Sequence, residues 1–202
     1  AFGASLATVM AAAGFDVYRE YYVNDAGRQM DILTTSTWLR YLQLAGVEVP
    51  YPPNAYLGDY VQAMAQAILA QHSRRMVRTT AEVMRAVPPL QEAANDKERE
   101  TARDAHIDAL MANAKQLLGA DFRVIHAHAL KVQVDDMRAD LAEFGVEYDC
   151  WYSEQSLYDD GLLEQALGKL IAAGHTYEKD GALWFRATQF GDEKDRVLRR
   201  SN

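Results

Sequence analysis

The segment from Arg19 to Gln29 concentrates side chains that could do chemistry. It reads Arg-Glu-Tyr-Tyr-Val-Asn-Asp-Ala-Gly-Arg-Gln, and it joins a run of β-branched and aromatic residues to a helical pattern. Open α/β sheets bind ligands at the carboxyl ends of their strands, and the amides of a following helix favour anions there. The segment is equally compatible with such a ligand site and with a capped βα turn on which the tyrosines pack.

A second polar group stands at the end of another strand pattern. Residues 148–154 read Tyr-Asp-Cys-Trp-Tyr-Ser-Glu and end in the carboxylate of Glu154. A carboxylate at the rim of a sheet, backed by aromatic residues, could hold a planar cation through the two-bonded fork that a guanidinium favours. The alternative is that Glu154 is a solvated surface acid, as most glutamates are.

Metal and thiol chemistry receive little support from the sequence. His126 and His128 are two positions apart, so their side chains would not share a helix face, and we expect no metal site. The single cysteine, Cys150, excludes an internal disulfide, and we expect an inert core thiol in a buried strand rather than a nucleophile. The five histidines, none at a recognised metal spacing, are His72, His106, His126, His128 and His175. Standard nucleotide loops, Gly-x-x-x-x-Gly-Lys-Ser/Thr and Gly-x-Gly-x-x-Gly, are absent from the sequence.

Two strands flanked by helices must position the two polar groups. The first is predicted over residues 15–23 and the second over residues 146–151. Each lies between two helical patterns, so the strands can run parallel in one sheet with helical crossovers. The flanking helices are predicted over residues 4–13, 26–45, 122–144 and 160–173.

The rest of the chain divides into a helical region and a C-terminal hairpin. Pro50, Pro52 and Pro53 end the first unit, and residues 60–76, residues 80–87 and a charged stretch leading to residue 118 then predict helices. Near the C-terminus, Asp-Gly at 180–181 is a strong two-residue turn signal that predicts a hairpin with residues 182–188.

Composition restricts the class of protein. The chain has 202 residues, 49% of them hydrophobic, and a formal charge of −8, which disfavours non-specific wrapping of nucleic acid, so we expect no DNA partner. No apolar run approaches the roughly 20 residues that span a bilayer, and no signal segment opens the chain, so we expect a cytoplasmic protein without a membrane partner. Two groups of three arginines are expected to be solvated faces: Arg74, Arg75 and Arg78, and Arg196, Arg199 and Arg200.

Several segments resemble arginyl-tRNA synthetases, in the order of that family. The stretch from Arg19 to Gln29 is similar to the one that follows the ATP-binding signature of the family, and residues 149–154 are similar to a second family stretch. Residues 180–186, with Phe-Gly-Asp at 190–192 and Lys-Asp-Arg-Val at 194–197, are similar to a third. Further matching residues are Ser36, Arg40, Tyr41, Tyr56, Gly58, Asp59, Tyr60, Ser156 and Leu157.

The resemblance implies a class I synthetase with a Rossmann-like catalytic domain interrupted by insertions. It implies ATP-dependent activation of L-arginine and transfer to the 3′ end of tRNA(Arg), with Mg²⁺ accompanying ATP. The guanidinium-binding glutamate of the family matches Glu154, and Asn24, Asp25 and Gln29 fall on the substrate side of the cleft.

The same resemblance gives the expected domain organisation: an α/β protein with a partial Rossmann-like parallel sheet, a largely helical insertion and a C-terminal β-hairpin element. Residues 1–48 begin the catalytic domain, 49–120 form the helical insertion, 121–154 continue the catalytic domain, and 155–202 form a second insertion with a helix and the hairpin.

Departures from the family pattern lead to a further expectation. The His-x-Gly-His motif of the family lies just upstream of the position of Ala1, and the Lys-Met-Ser-Lys-type loop is also missing. We therefore expect an internal fragment with no catalytic residue of its own and no tightly bound cofactor, inactive alone, because groups outside it supply most transition-state binding. The alternative function is a non-catalytic helical module that binds RNA or protein.

Overall fold

The computed structural model describes residues 2–90 and 95–200; Ala1 and residues 91–94 and 201–202 lie outside it. The protein is mixed α/β and largely helical, as predicted. Its helices are α1 (Phe2–Ala12), α2 (Arg28–Leu44), α3 (Asp59–His72), α4 (Thr80–Val83), α5 (Asp96–Leu118), α6 (Ala120–Glu143), α7 (Glu154–Asp159) and α8 (Leu162–Ala172). Its strands are β1 (Glu20–Val23), β2 (Cys150–Ser153), β3 (Thr176–Lys179), β4 (Ala182–Phe185) and β5 (Arg196–Arg199). None of these helices is both long and apolar enough to cross a bilayer.

Strands β1 and β2 pair in parallel, which confirms the predicted relation between the two polar segments. Both strands begin later than the residue pattern indicates, at Glu20 rather than residue 15 and at Cys150 rather than residue 146. The amides of Asp149 and Cys150 both donate to the carbonyl of Arg19, which is where pairing starts. Residues with strand propensity upstream of that point therefore form no ladder, because propensity alone does not supply a partner.

The described residues of the first compact unit are 2–21, 25–90 and 95–151, and α2 lies at its centre. Helix α2 packs against α3, α5 and α6, and it is buried around its circumference rather than along one stripe. Three of its hydroxyls are accommodated there because each donates to a carbonyl one turn earlier, as Thr34, Ser36 and Thr37 do. The core around it includes Trp38, Leu39, Leu42, Ile68, Met76, Ile107, Leu110 and Ile125.

Helix ends in this unit follow local backbone geometry. Gly119 has a φ of 55° and separates α5 from α6, at the break that the sequence predicts. The helix predicted over residues 60–76 instead ends at His72, where Ser73 adopts a φ of 49°. The helix predicted over residues 80–87 ends at Val83, and Ala86 has a φ of 56°.

The described residues of the second compact unit are 22–24 and 152–200, and they contain α7, α8 and an antiparallel sheet in the order β3-β4-β5. The predicted hairpin is confirmed, with Lys179 opposite Ala182. Asp180 and Gly181 both have positive φ, 53° and 73°, as a two-residue turn that matches strand twist requires. The return strand ends at Phe185 rather than residue 188, and a 3₁₀ turn follows over Ala187–Phe190. Helix α7 and strand β5 are not predicted by the sequence pattern.

Candidate functional site

The carboxyl ends of β1 and β2 carry two of the predicted site residues. Asn24 directly follows the last residue of β1, and Glu154 directly follows the last residue of β2. Because the two strands are parallel neighbours, Asn24 and Glu154 stand at the same end of this sheet, and both belong to the second unit. This is the edge at which open α/β sheets bind ligands.

Glu154 is the first residue of α7, and it is half-buried. The Ser153 hydroxyl oxygen caps this helix by accepting a hydrogen bond from the amide of Ser156 at 3.3 Å. A carboxylate in the first helical turn is favoured by the helix dipole, which gives Glu154 a structural reason to be acidic. Its position also leaves a partly desolvated anion at the sheet edge, which suits a planar cation.

Asp25 and Gln29 belong to the first unit and precede or begin α2. Asp25 is 4% exposed, whereas Gln29 is exposed. Gly27 lies between them with a φ of 93°, a conformation that a side chain would strain. The Gln29 side-chain oxygen accepts a hydrogen bond of 3.0 Å from the Tyr56 hydroxyl.

Gln29 lines a cavity of about 310 Å³ within the first unit. Arg28 also lines this cavity and donates to Asp104 at 2.9 Å and to Asp108 at 3.0 Å. Burial lowers the pKa of Arg28, but these carboxylates outweigh burial, so the pKa of its guanidinium is raised. The residues that line the cavity are Arg28, Gln29, Ile32, Asn54, Ala55, Tyr56 and Asp104.

An aromatic cluster in the first unit includes Tyr148 and Trp151 of the second polar segment. The rings of Tyr21 and Trp151 stack at a centroid distance of 4.5 Å, and Tyr148 packs edge-on against both. The guanidinium carbon of Arg138 lies 4.7 Å from the centre of the Trp151 ring. These contacts pack side chains of the two strands against each other in geometries that aromatic pairs favour.

Cys150 is a free thiol in β2 and is half-buried, rather than enclosed in the core as the sequence suggests. Its contact with Tyr18 is the main cause that raises the pKa of the tyrosine hydroxyl, through a hydrogen bond. The strand is half-buried along its length because β2 pairs with one strand in the described sheet.

In the first arginine group, Arg74 and Arg75 are exposed as predicted, and all three side chains also contact protein acceptors. Arg74 donates to the carbonyl of Ala45 at 2.8 Å, and Arg78 donates to the carbonyl of Leu117 at 2.9 Å. Arg75 forms an ion pair with Asp121 at 2.6 Å. Each guanidinium is thus engaged by protein acceptors.

In the second arginine group, Arg196 pairs with a carboxylate within the second unit. Arg196 donates to both oxygens of Asp192, at 2.7 Å and 2.8 Å. This hydrogen bonding lowers the pKa of Asp192 to about 2. Asp195 accepts from the amide and hydroxyl of Thr188 and from the hydroxyl of Tyr177, and its pKa is lowered, chiefly by the Thr188 amide.

Residues 2–90 and 95–200 contain no cluster of three or more histidine, cysteine or carboxylate side chains that could hold a metal ion. His128 on α6 has a buried Nε2 without a hydrogen-bond partner among the described residues. Burial, followed by the charges of His72 and Lys131, lowers its pKa.

Comparison with known proteins identifies the relatives of this chain. No protein-family model matches it. Three similar proteins are the arginine–tRNA ligases of Azoarcus sp. (strain BH72), 55% identical over 204 residues, of Dechloromonas aromatica (strain RCB), 55% over 203, and of Legionella pneumophila subsp. pneumophila (strain Philadelphia 1), 52% over 203. Each alignment covers 100% of this chain and 33–35% of the relative. This chain is homologous to arginine–tRNA ligases.

A solved structure agrees with the relation to arginine–tRNA ligases. A crystal structure assigned to an arginyl-tRNA synthetase of Campylobacter jejuni matches with a TM-score of 0.60 and 25% sequence identity. The match covers 99% of this chain and 35% of that one. The chain thus spans about a third of the length of the ligases that it matches.

Tyr56 is one of the residues that resemble the ligase family, and the resemblance implies no role for it. Its hydroxyl contact with Gln29 crosses 27 positions of sequence. No spacing rule predicts such a pair, because the contact depends on how the segment before α3 returns to the start of α2.

Proposed function

We propose that this chain is an internal part of the catalytic domain of an arginine–tRNA ligase with a Rossmann-like sheet. The whole enzyme would activate L-arginine with ATP, accompanied by Mg²⁺, and transfer it to the 3′ end of tRNA(Arg). The observation that carries the proposal is alignment of the entire chain with such ligases at 55% identity. The proposal retains a cytoplasmic location, without a DNA or membrane partner.

In this proposal Glu154 binds the guanidinium of arginine. The half-buried carboxylate stands where β2 gives way to α7, at the ligand-binding edge of a parallel sheet. Two parallel hydrogen bonds from a guanidinium to a carboxylate give both charge and shape selectivity. Asn24, at the same end of the sheet, is the neighbouring polar group in the proposal, and Asp25 and Gln29 supply further substrate-side contacts.

The role of Glu154 is tested in the full-length ligase by Glu154→Gln, which keeps the shape and removes the charge. We expect the KM for arginine to rise about tenfold or more, because a desolvated cation loses its counter-charge. The KM for ATP should stay unchanged. Discrimination between arginine and citrulline, its uncharged isostere, should fall.

Glu164→Gln provides a matched control, since Glu164 is an exposed acid on α8 of the same unit. It should leave all three quantities unchanged. If Glu154→Gln also leaves the KM for arginine and the discrimination against citrulline unchanged, Glu154 does not bind the guanidinium.

We also propose that the chain alone does not activate arginine. Adenylate formation depends on groups that stabilise the reacting phosphate, and the sequence contains neither of the two ATP-handling signatures of the family. An assay of arginine-dependent exchange between ATP and pyrophosphate should detect no activity with the 202-residue chain. Measurable exchange would contradict this part of the proposal.

A further inference from the structure

Tyr56 is held from three sides within the first unit. Its amide donates to the hydroxyl oxygen of Ser36 at 3.1 Å, and its carbonyl accepts from the hydroxyl of Tyr51. Its ring packs, partly buried, against both hydrophobic clusters of this unit. Because backbone and ring are fixed, the Tyr56 hydroxyl has a defined position.

That hydroxyl orients the side chain of Gln29. It donates to the side-chain amide oxygen of Gln29 at 3.0 Å. Gln29 is the second residue of α2, and it is exposed. A glutamine amide has an acceptor oxygen and a donor NH₂ group on opposite sides. With the oxygen engaged by Tyr56, the NH₂ group has no partner in the part of the chain that the structure describes, and it is free to donate to a ligand.

The surroundings limit the chemistry of that ligand. Gln29 lines the cavity of about 310 Å³, and the nearby ionic group contains the cation Arg28 and the anions Asp104 and Asp108. One positive and two negative charges leave an excess negative charge, which disfavours a carboxylate or phosphate. The ligand group that accepts from Gln29 should therefore be neutral, such as a hydroxyl, a carbonyl or a ring nitrogen.

We propose that Gln29 donates a hydrogen bond to a neutral acceptor on the nucleoside part of a substrate, and that Tyr56 is the positioning residue that orients it. The inference rests on the proposed function, in which ATP and the terminal nucleoside of tRNA are the nucleoside-bearing substrates. Both offer ribose hydroxyls and base acceptors, so kinetics with each substrate must distinguish the source.

Two variants of the full-length ligase separate donation from positioning. Gln29→Glu keeps an acceptor for Tyr56 but replaces the NH₂ donor with oxygen, and it should raise the KM for ATP or for tRNA about fivefold or more. Tyr56→Phe keeps the side-chain amide of Gln29 but removes the hydrogen bond that orients it. This variant should raise the same KM about threefold without changing kcat. The KM of the double variant should be no higher than that of Gln29→Glu alone, because both changes act through one contact.

Tyr60→Phe is the matched control: Tyr60 is 39% exposed, and its hydroxyl makes no hydrogen bond among the described residues. It should leave every KM unchanged. A purely structural Tyr56 would lower the unfolding temperature and leave the KM values unchanged, which would overturn the positioning role. Additive effects in the double variant, or unchanged KM values for both ATP and tRNA in Gln29→Glu, would also overturn the proposal.

A rise confined to the KM for arginine would overturn the assignment to a nucleoside. Failure of this proposal is separable from failure of the proposed function. A full-length protein that does not charge tRNA with arginine contradicts the proposed function, whereas an active ligase with normal Gln29→Glu kinetics contradicts only the Gln29 contact.

Discussion

The guanidinium of Arg75 donates two hydrogen bonds to the carboxylate of Asp121, at 2.6 Å and 3.1 Å. The Asp121 side chain is 12% exposed and the Arg75 side chain is 60% exposed, so the pair lies at the boundary between interior and solvent. It ties the segment after α3 to the first turn of α6. An acid in that turn also complements the helix dipole.

Replacing this acid should destabilise the first unit. Asp121→Asn removes the charge from a two-bonded pair and should lower the free energy of unfolding by about 1–2 kcal/mol, a value reduced by the exposure of Arg75. Chemical unfolding of the protein measures the difference. Arg74→Met serves as control, since Arg74 makes one hydrogen bond among the described residues, to a backbone carbonyl, and a change below about 0.5 kcal/mol is expected. Equal losses in the two variants would contradict the special role of the Asp121 pair.

The hydroxyl of Tyr41 supports the backbone turn after α3. It donates to the carbonyl of Ser73 at 2.7 Å and accepts from the amide of Met76 at 3.1 Å. Tyr41 is fully buried, so Tyr41→Phe deprives both backbone groups of this partner and should cost about 1–3 kcal/mol of unfolding free energy. Hydrogen exchange at the Met76 amide should accelerate. Tyr60→Phe should change neither quantity, and an unchanged exchange rate in Tyr41→Phe would contradict the prediction.

His128 should make stability depend on pH in the weakly acidic range. Its folded-state pKa is lowered, by burial first and then by His72 and Lys131, so the unfolded chain binds the proton more readily. Stability should therefore fall as the pH drops through about 6.5, the ordinary histidine value, and the loss should stop growing below the folded-state pKa. His128→Gln should flatten this part of the profile of unfolding temperature against pH. His126→Gln, on the same helix, is the control, and an unaltered slope in His128→Gln would contradict the assignment.

The two polar segments show how far residue pattern predicts a site. Asn24 and Glu154 each follow a strand, and the pattern predicts both strands and their parallel relation, which the structure confirms. The pattern overestimates both strand lengths, because Tyr18 and other residues with strand propensity upstream of Arg19 form no strand ladder in the described part of the chain. The roles of Asn24 and Glu154 in binding substrate remain predictions.

Sequence alone also determined features that depend on a few neighbouring residues. The Asp180-Gly181 turn and the break at Gly119 follow from backbone conformations that these residue types adopt at little cost. The absence of disulfides follows from a single cysteine. Such features need no information about distant parts of the chain.

Tertiary structure decided the features that join distant residues. The Tyr56–Gln29 contact, the pairing of Arg75 with Asp121 and the addition of β5 to the hairpin all depend on how separate segments pack. A side chain has similar intrinsic preferences in each of many neighbourhoods, and only packing selects the partner that satisfies it. The sequence therefore determined where polar groups end strands and helices, whereas the tertiary structure decided which of those groups meet.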